Sequence, residues 1–138
     1  MDSIEREIVI AAPPERVYAI VTQPEHMGVW FGDAGAEREG DVITMRWADH
    51  GTAELRVVKE EPPRAFAYRW DSQSNVGDTL VEFTLATEGD RTRVTVVESG
   101  WTKLRTSAEE QARLREGNVG GWEQEMAELE RYAHNVAV

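Results

Sequence analysis

The residue of this sequence best placed to do chemistry is Glu98. Residues alternate through RTRVTVVES (91–99), so Glu98 falls on the face of Val94 and Val96. A carboxylate turned into an apolar layer needs hydrogen-bond partners. So held, it would bind a ligand hydroxyl or act as a general base. The other reading is a strand end that has already reached solvent, and the position near the end of the run favours it. The remaining polar candidates are scattered. His26, His50 and His134 fall in a helix start, a turn and the last helix, without the i, i+4 spacing of a metal pair. His26 reads as a packing residue. Ser99 and Ser107 have no visible base, Gly-x-Ser-x-Gly is missing, and EGNVGG lacks the Lys and the preceding strand of a phosphate loop. No catalytic residue, metal or cofactor is expected, and an enzyme is the less favoured reading.

Aromatic residues offer a second kind of chemistry. By alternation and helical spacing, Trp47, Phe66, Tyr68, Trp70, Phe83 and Trp122 point to one space. They form either a solid core or a cavity whose indole N–H and phenol O–H tips greet a small apolar ligand. The candidate lining is Trp30, Trp47, Phe66, Tyr68, Trp70, Phe83, Glu98, Trp101, Trp122 and Met126. Trp101 and Leu104, in SGWTKLRTSAEE (99–110), read as exposed or half-exposed: a gate over the pocket, a partner patch, or a staple on the core. The staple is the reading preferred for Trp101.

These side chains need a scaffold. SIEREIVI (3–10) alternates as a strand. AAPPERVYAIVT carries Pro14 where a first helical turn accepts proline. Pro24 ends that helix and starts a short second one, and Gly32 and Gly35 mark a loop. Five strand-like runs follow, at 41–48, 52–60, 65–72, 78–87 and 91–99. Their short connections, among them a hairpin turn at 49–51, imply an antiparallel meander with one wet face. Arg46 and Arg69 fall on that outer face. SAEE (107–110) has capping-box form and opens a short helix ending at Gly117, after which Asn118 caps a longer one. In the latter Val119, Trp122, Met126, Leu129, Ala133 and Val136 form one stripe, which needs an apolar surface to be stable. The sheet supplies it. Gly120 and Gly121 are expected to let this helix approach the sheet closely.

Composition narrows the function classes. The 138 residues fit one domain, 1–138. With 15 basic against 26 acidic residues, the net charge of −11 disfavours nucleic acid and anionic membranes. There are no cysteines, hence no disulfide, zinc–thiolate site or Cys nucleophile. The charged, alternating first residues do not read as a signal peptide, and no stretch approaches a membrane span. A soluble cytoplasmic protein, monomer or homodimer, is expected.

The order strand, two short helices, long meander, C-terminal helix resembles the helix-grip fold of the START and birch-pollen-allergen (SRPBCC) superfamily. Within it the chain resembles bacterial proteins similar to the C-terminal domain of the heat-shock protein 90 ATPase activator. The stretches that carry the likeness are APPERVYAIVTQPEHMGVWFG (12–32), YRWDS (68–72), VEFTL with GDRTRVTVVESGW (81–85 and 89–101) and GGWEQEMAELERY (120–132). The resemblance implies an α+β fold: a curved antiparallel sheet of six to seven strands around a long C-terminal helix. It also implies a cavity between the two, and a stress-response role by family name. The eukaryotic activators carry an additional N-terminal domain that this chain has no room for, so the chaperone role is not carried over with the fold. Three functions follow in order. The first is a non-enzymatic protein binding a small hydrophobic or aromatic ligand. The second is a partner-binding, chaperone-associated module with an exposed apolar patch near Trp30, Phe31 or Trp101. The third is a cyclase- or hydrolase-type enzyme on a polyketide-like substrate, requiring Glu98, Tyr68 or His26 to converge.

Overall fold

The structure, a computed structural model, describes residues 2–49, 51–71 and 75–136. His50 therefore lies outside the described residues. β1 (Ser3–Ile10) leads into α1 (Pro14–Thr22) and α2 (Pro24–Trp30), each with its proline at the helix start. β2 (Ala36–Glu39), β3 (Val42–Trp47), β4 (Gly51–Glu61), β5 (Ala65–Trp70), β6 (Thr79–Glu88) and β7 (Arg91–Ser99) follow. A 3-10 turn (Trp101–Lys103) then precedes α3 (Ala108–Val136). The strands form one sheet in the order β1-β7-β6-β5-β4-β3-β2, every pair antiparallel. β2, between the loop marked by Gly32 and Gly35 and the first strand-like run at 41, is the seventh strand; four residues are too few for alternation to be legible.

Alternation sets which faces meet. Phe66 and Phe83 are register partners, as are Tyr68 and Val81, and all four are buried. Opposite them α3 buries Trp122, Met126, Leu129 and Ala133, spaced 4, 3 and 4 along one helical face. Val119 is half-buried, and Val136 has reached the surface at 37% exposure. No helix among the described residues is long and apolar enough to cross a membrane.

Two expectations about α3 are corrected. First, it is one helix of 29 residues, with no stop at Gly117. Ser107 does cap it, accepting the Glu110 N–H at 3.1 Å. Gly117 lies within the helix, and the Asn118 side chain, instead of capping, reaches sideways into the core. Second, Gly120 and Gly121 allow no close approach: a Cβ at Gly117, Gly120 or Gly121 would meet nothing within 4 Å. Close approach belongs to α2 and the segment after it. A Cβ on Gly28 would lie 2.6 Å from the Ala36 nitrogen, and one on Gly32 would lie 2.7 Å from the Arg46 carbonyl oxygen.

Open space around a helical glycine has an energetic consequence. Alanine relieves the backbone-entropy cost of glycine without a clash. Gly121→Ala is expected to raise the unfolding free energy by about 0.5–1 kcal/mol, read by urea denaturation. A loss of stability would show that α3 is pressed against a neighbour at this turn.

Candidate functional site

Glu98 is fully buried, which overturns the solvent-end reading. It pairs in register with Ile4 of β1 and Val81 of β6, so its side chain enters the space under α3. One carboxylate oxygen accepts the Trp122 indole N–H at 2.7 Å and the Asn118 amide at 3.2 Å. The other accepts the Trp70 indole N–H at 3.0 Å and the Thr79 hydroxyl. These four donors match the roughly four lone-pair sites of a carboxylate. They come from β5 and β6, where Trp70 and Thr79 are register partners, and from α3, distant in sequence. Pattern reading reached Trp70, Trp122 and Glu98 separately; Thr79 and Asn118 were missed as its partners. A polar residue in step with inward residues, as Thr79 is with Val81 and Phe83, was the available signal.

Beside this cluster lies a pocket of about 720 Å³. Its walls are Val29 and Trp30 of α2, Phe31, Gly32 and Asp33 after it, Trp47 of β3, Thr52 and Ala53 of β4, and Trp70 of β5. From α3 come Gly117, Asn118, Gly121, Trp122, Gln124, Glu125 and Glu128. Gly117 and Gly121 lie one turn apart, so the wall they form carries no side chains. The rings form a connected set. Phe31 stacks on Trp122 with centroids 5.7 Å apart and planes 8° apart, and meets Trp47 edge-on at 5.7 Å. Trp70 lies 5.4 Å from Phe31 and 6.4 Å from Trp47.

Of the ten residues expected to line a cavity, the structure places Trp30, Trp47, Trp70 and Trp122 on this wall. Phe66, Tyr68, Phe83 and Met126 are instead buried in the hydrophobic core, off this wall, and Glu98 is buried with its donors. Trp101 is only 2% exposed and its indole donates to the Glu98 carbonyl at 3.2 Å; Leu104 is 6% exposed. Both are staples of the core, and the exposed or gate-like reading is corrected. The indole tips differ from expectation too. Trp30 donates to the Ile20 carbonyl and Trp47 to the Phe31 carbonyl, each at 2.9 Å, while Trp70 and Trp122 donate to Glu98. Every Trp N–H is thus turned to the protein, and the pocket meets ring surface. Tyr68 keeps a fully buried hydroxyl with no partner among the described residues, and burial, then Glu98 and Glu125, raise its pKa well above the usual phenol value. His26 Nδ1 is hydrogen-bonded to the Tyr132 hydroxyl at 2.7 Å, outside the pocket. Glu98, Tyr68 and His26 therefore do not converge on one cavity.

The charged groups on the lining are Asp33, Glu125 and Glu128. Asp33 accepts the Ala48 N–H at 2.7 Å, and Glu128 pairs with Arg131 at 3.0 Å. The carboxyl of half-buried Glu125 is pushed up to about 8, mainly by burial and then by Glu128 and Asp33.

The family described as "Activator of Hsp90 ATPase homolog 1-like protein" matches residues 11–134. No curated protein matches the chain. Among solved structures, protein MLL2253 from Mesorhizobium loti superposes with a TM-score of 0.79 at 24% identity, with 99% of each chain covered. The Aha1 dimer from Colwellia psychrerythraea gives 0.75 at 20%, covering 99% of this chain and 98% of its own. DynU16, a protein of the dynemicin biosynthetic locus, gives 0.74 at 26%; the match covers 97% of this chain but 48% of DynU16. The first two likenesses show the fold.

Two outcomes follow from the geometry. Glu98→Gln sets an NH₂ group against an indole donor whichever way it turns, and is expected to cost about 2–4 kcal/mol of stability; a cost near zero in chemical denaturation would refute the four-donor arrangement. For Glu125, the folded state holds its proton at pH values where the unfolded chain has lost it. Its stabilising contribution is full below the ordinary carboxylate range and is lost as pH rises toward and through about 8. Glu125→Gln should remove that downward slope, seen by comparing urea midpoints of the two proteins from pH 5 to 9.

Proposed function

The chain belongs to the Activator of Hsp90 ATPase homolog 1-like family, and from that premise we propose that it is a non-enzymatic binding protein for a small hydrophobic or aromatic molecule. The observation that carries the reading is the pocket of about 720 Å³ walled by Trp30, Phe31, Trp47, Trp70 and Trp122. That size lies within the range of small-molecule sites, and the rigid rings give it one apolar wall suited to a flat ligand. The walls are pre-ordered by ring contacts and indole hydrogen bonds, so little freedom is lost on binding.

Other features favour binding over chemistry. Glu98, the residue best suited to act as a base, has its lone pairs directed at four protein donors. A relative 26% identical, DynU16, comes from a dynemicin biosynthetic locus, in keeping with a small-molecule role in this branch. The partner-module reading asked for an exposed apolar patch at Trp30, Phe31 or Trp101, and these are 3%, 5% and 2% exposed.

The test is a titration with N-phenyl-1-naphthylamine, a neutral dye, followed by quenching of tryptophan emission. Saturable one-to-one binding is expected, weakened at least about tenfold (about 1.4 kcal/mol) by Gly121→Phe, whose ring would enter the pocket. Unchanged binding by a folded Gly121→Phe protein would remove the pocket as the site.

A further inference from the structure

We propose that the natural occupant of this pocket is an organic cation, an amine or quaternary ammonium carried on an apolar body, seated against the indole rings with its charge facing Glu125. The inference rests on the pocket being a ligand site and adds the ligand's sign.

Three independent features of the cavity lead there. The first is the orientation of its rings. Trp30, Trp47, Trp70 and Trp122 all spend their N–H groups on protein acceptors. What they leave open to a ligand is aromatic surface, with half-buried Trp47 the most open ring and Trp30, Trp70 and Trp122 only 3%, 8% and 3% exposed; a ring's negative face attracts cations and offers no donor to a carbonyl or an anion. The second is the sign of the lining. Asp33, Glu125 and Glu128 are there, and no Lys, Arg or His is among the described lining residues. An anionic ligand would lose its hydration and gain no countercharge. The third is that these acids are not equally occupied. Asp33 is tied to the Ala48 N–H and Glu128 to Arg131, whereas Glu125 makes no ion pair among the described residues. Acidic side chains on open surface would be ordinary solvated charge. Here they border a ring-walled cavity.

Glu125's raised pKa fits this arrangement. Burial strips its water and Glu128 and Asp33 crowd it, so the carboxyl holds its proton toward about pH 8. A cation beside it would draw the proton off. Behind the wall, Tyr68 and Glu98 are the other titratable groups near it, one neutral and one enclosed by donors. Binding of a cation should therefore release a proton below about pH 8 and strengthen as pH rises to that value. The net charge of −11 also raises the local concentration of cations around the protein.

The experiment compares three probes of one shape by calorimetry: (1-naphthylmethyl)trimethylammonium, neutral 1-naphthalenemethanol and anionic 1-naphthylacetate. The cation is expected to bind at least about tenfold more tightly than the neutral probe, and more tightly at pH 8.5 than at pH 6. Glu125→Gln should weaken the cation about tenfold and leave the alcohol unchanged. Glu54→Gln, the same charge change on the exposed outer face of β4, should alter neither. A neutral or anionic probe binding as tightly as the cation would overturn the charge assignment while leaving the pocket in place, provided Gly121→Phe still blocks it. So would a folded Glu125→Gln protein with undiminished cation affinity. Failure of all three probes would overturn the binding reading together with this inference.

Discussion

The architecture depends on one buried carboxylate. Glu98 is fully buried among apolar residues, where an unpartnered charge would cost several kcal/mol. The fold meets that cost with donors from β5, β6 and α3. Charge-assisted hydrogen bonds of this kind are stronger than neutral ones and strongly directional. Because the donors sit on different elements, the carboxylate fixes the rotation of α3 about its axis and its height over the sheet. A purely apolar interface of Met126, Leu129 and Ala133 would tolerate sliding far better than a two-oxygen, four-donor arrangement. The carboxylate also governs the pocket. Two indoles on the pocket wall, Trp70 and Trp122, are held by its two oxygens.

On that base the aromatic wall is assembled from the side of α2. Phe31 reaches Trp122 face to face and touches Trp47 and Trp70. For it to do so, the segment after α2 must lie directly on β3. Gly32 makes that approach sterically possible, and the Asp33 and Ala34 N–H groups bond the Arg46 carbonyl at 3.2 and 3.1 Å. Gly28 plays the same part against the backbone at Ala36. Glycine thus serves close packing in one half of the pocket rim and open space in the other.

Much of this was legible in the sequence, and the limits of legibility are physical. Period-two alternation gave the inward faces of β3 through β7, and period 3.6 gave the buried stripe of α3, because each pattern is local. Ser107 was readable as a cap for the same reason. What failed required knowledge of non-local partners. Whether Glu98 was a strand end in water or a buried hub depends on Asn118, Trp122, Trp70 and Thr79 arriving from elsewhere. The glycines of NVGGW were open to two readings, since a missing side chain looks the same in sequence whether it admits a backbone or leaves a void. Trp101 is the core staple that was the preferred reading, but an irregular segment carries no periodicity to mark its inward side, so it and Leu104 could also be read as exposed. Which inward rings border the pocket was not legible either. Phe66, Tyr68 and Phe83 share the inward face with Trp70, and alternation cannot tell which of them the helix covers and which it leaves beside an opening.

The three glycines of α3 are the most informative cost in the chain. Each weakens the helix by up to about 1 kcal/mol relative to alanine, and none is repaid by a tight contact, since a Cβ at each would meet open space. A helix capped by Ser107 and tied to the core through Asn118 and Trp122 tolerates such a loss. Yet tolerance does not explain placement. Gly117 and Gly121 fall one turn apart on the wall opposite Trp47 and Trp70, where side chains of ordinary size would occupy the pocket. Stability is therefore forgone at two positions where a side chain would fill open space, a cost that covering the core does not require.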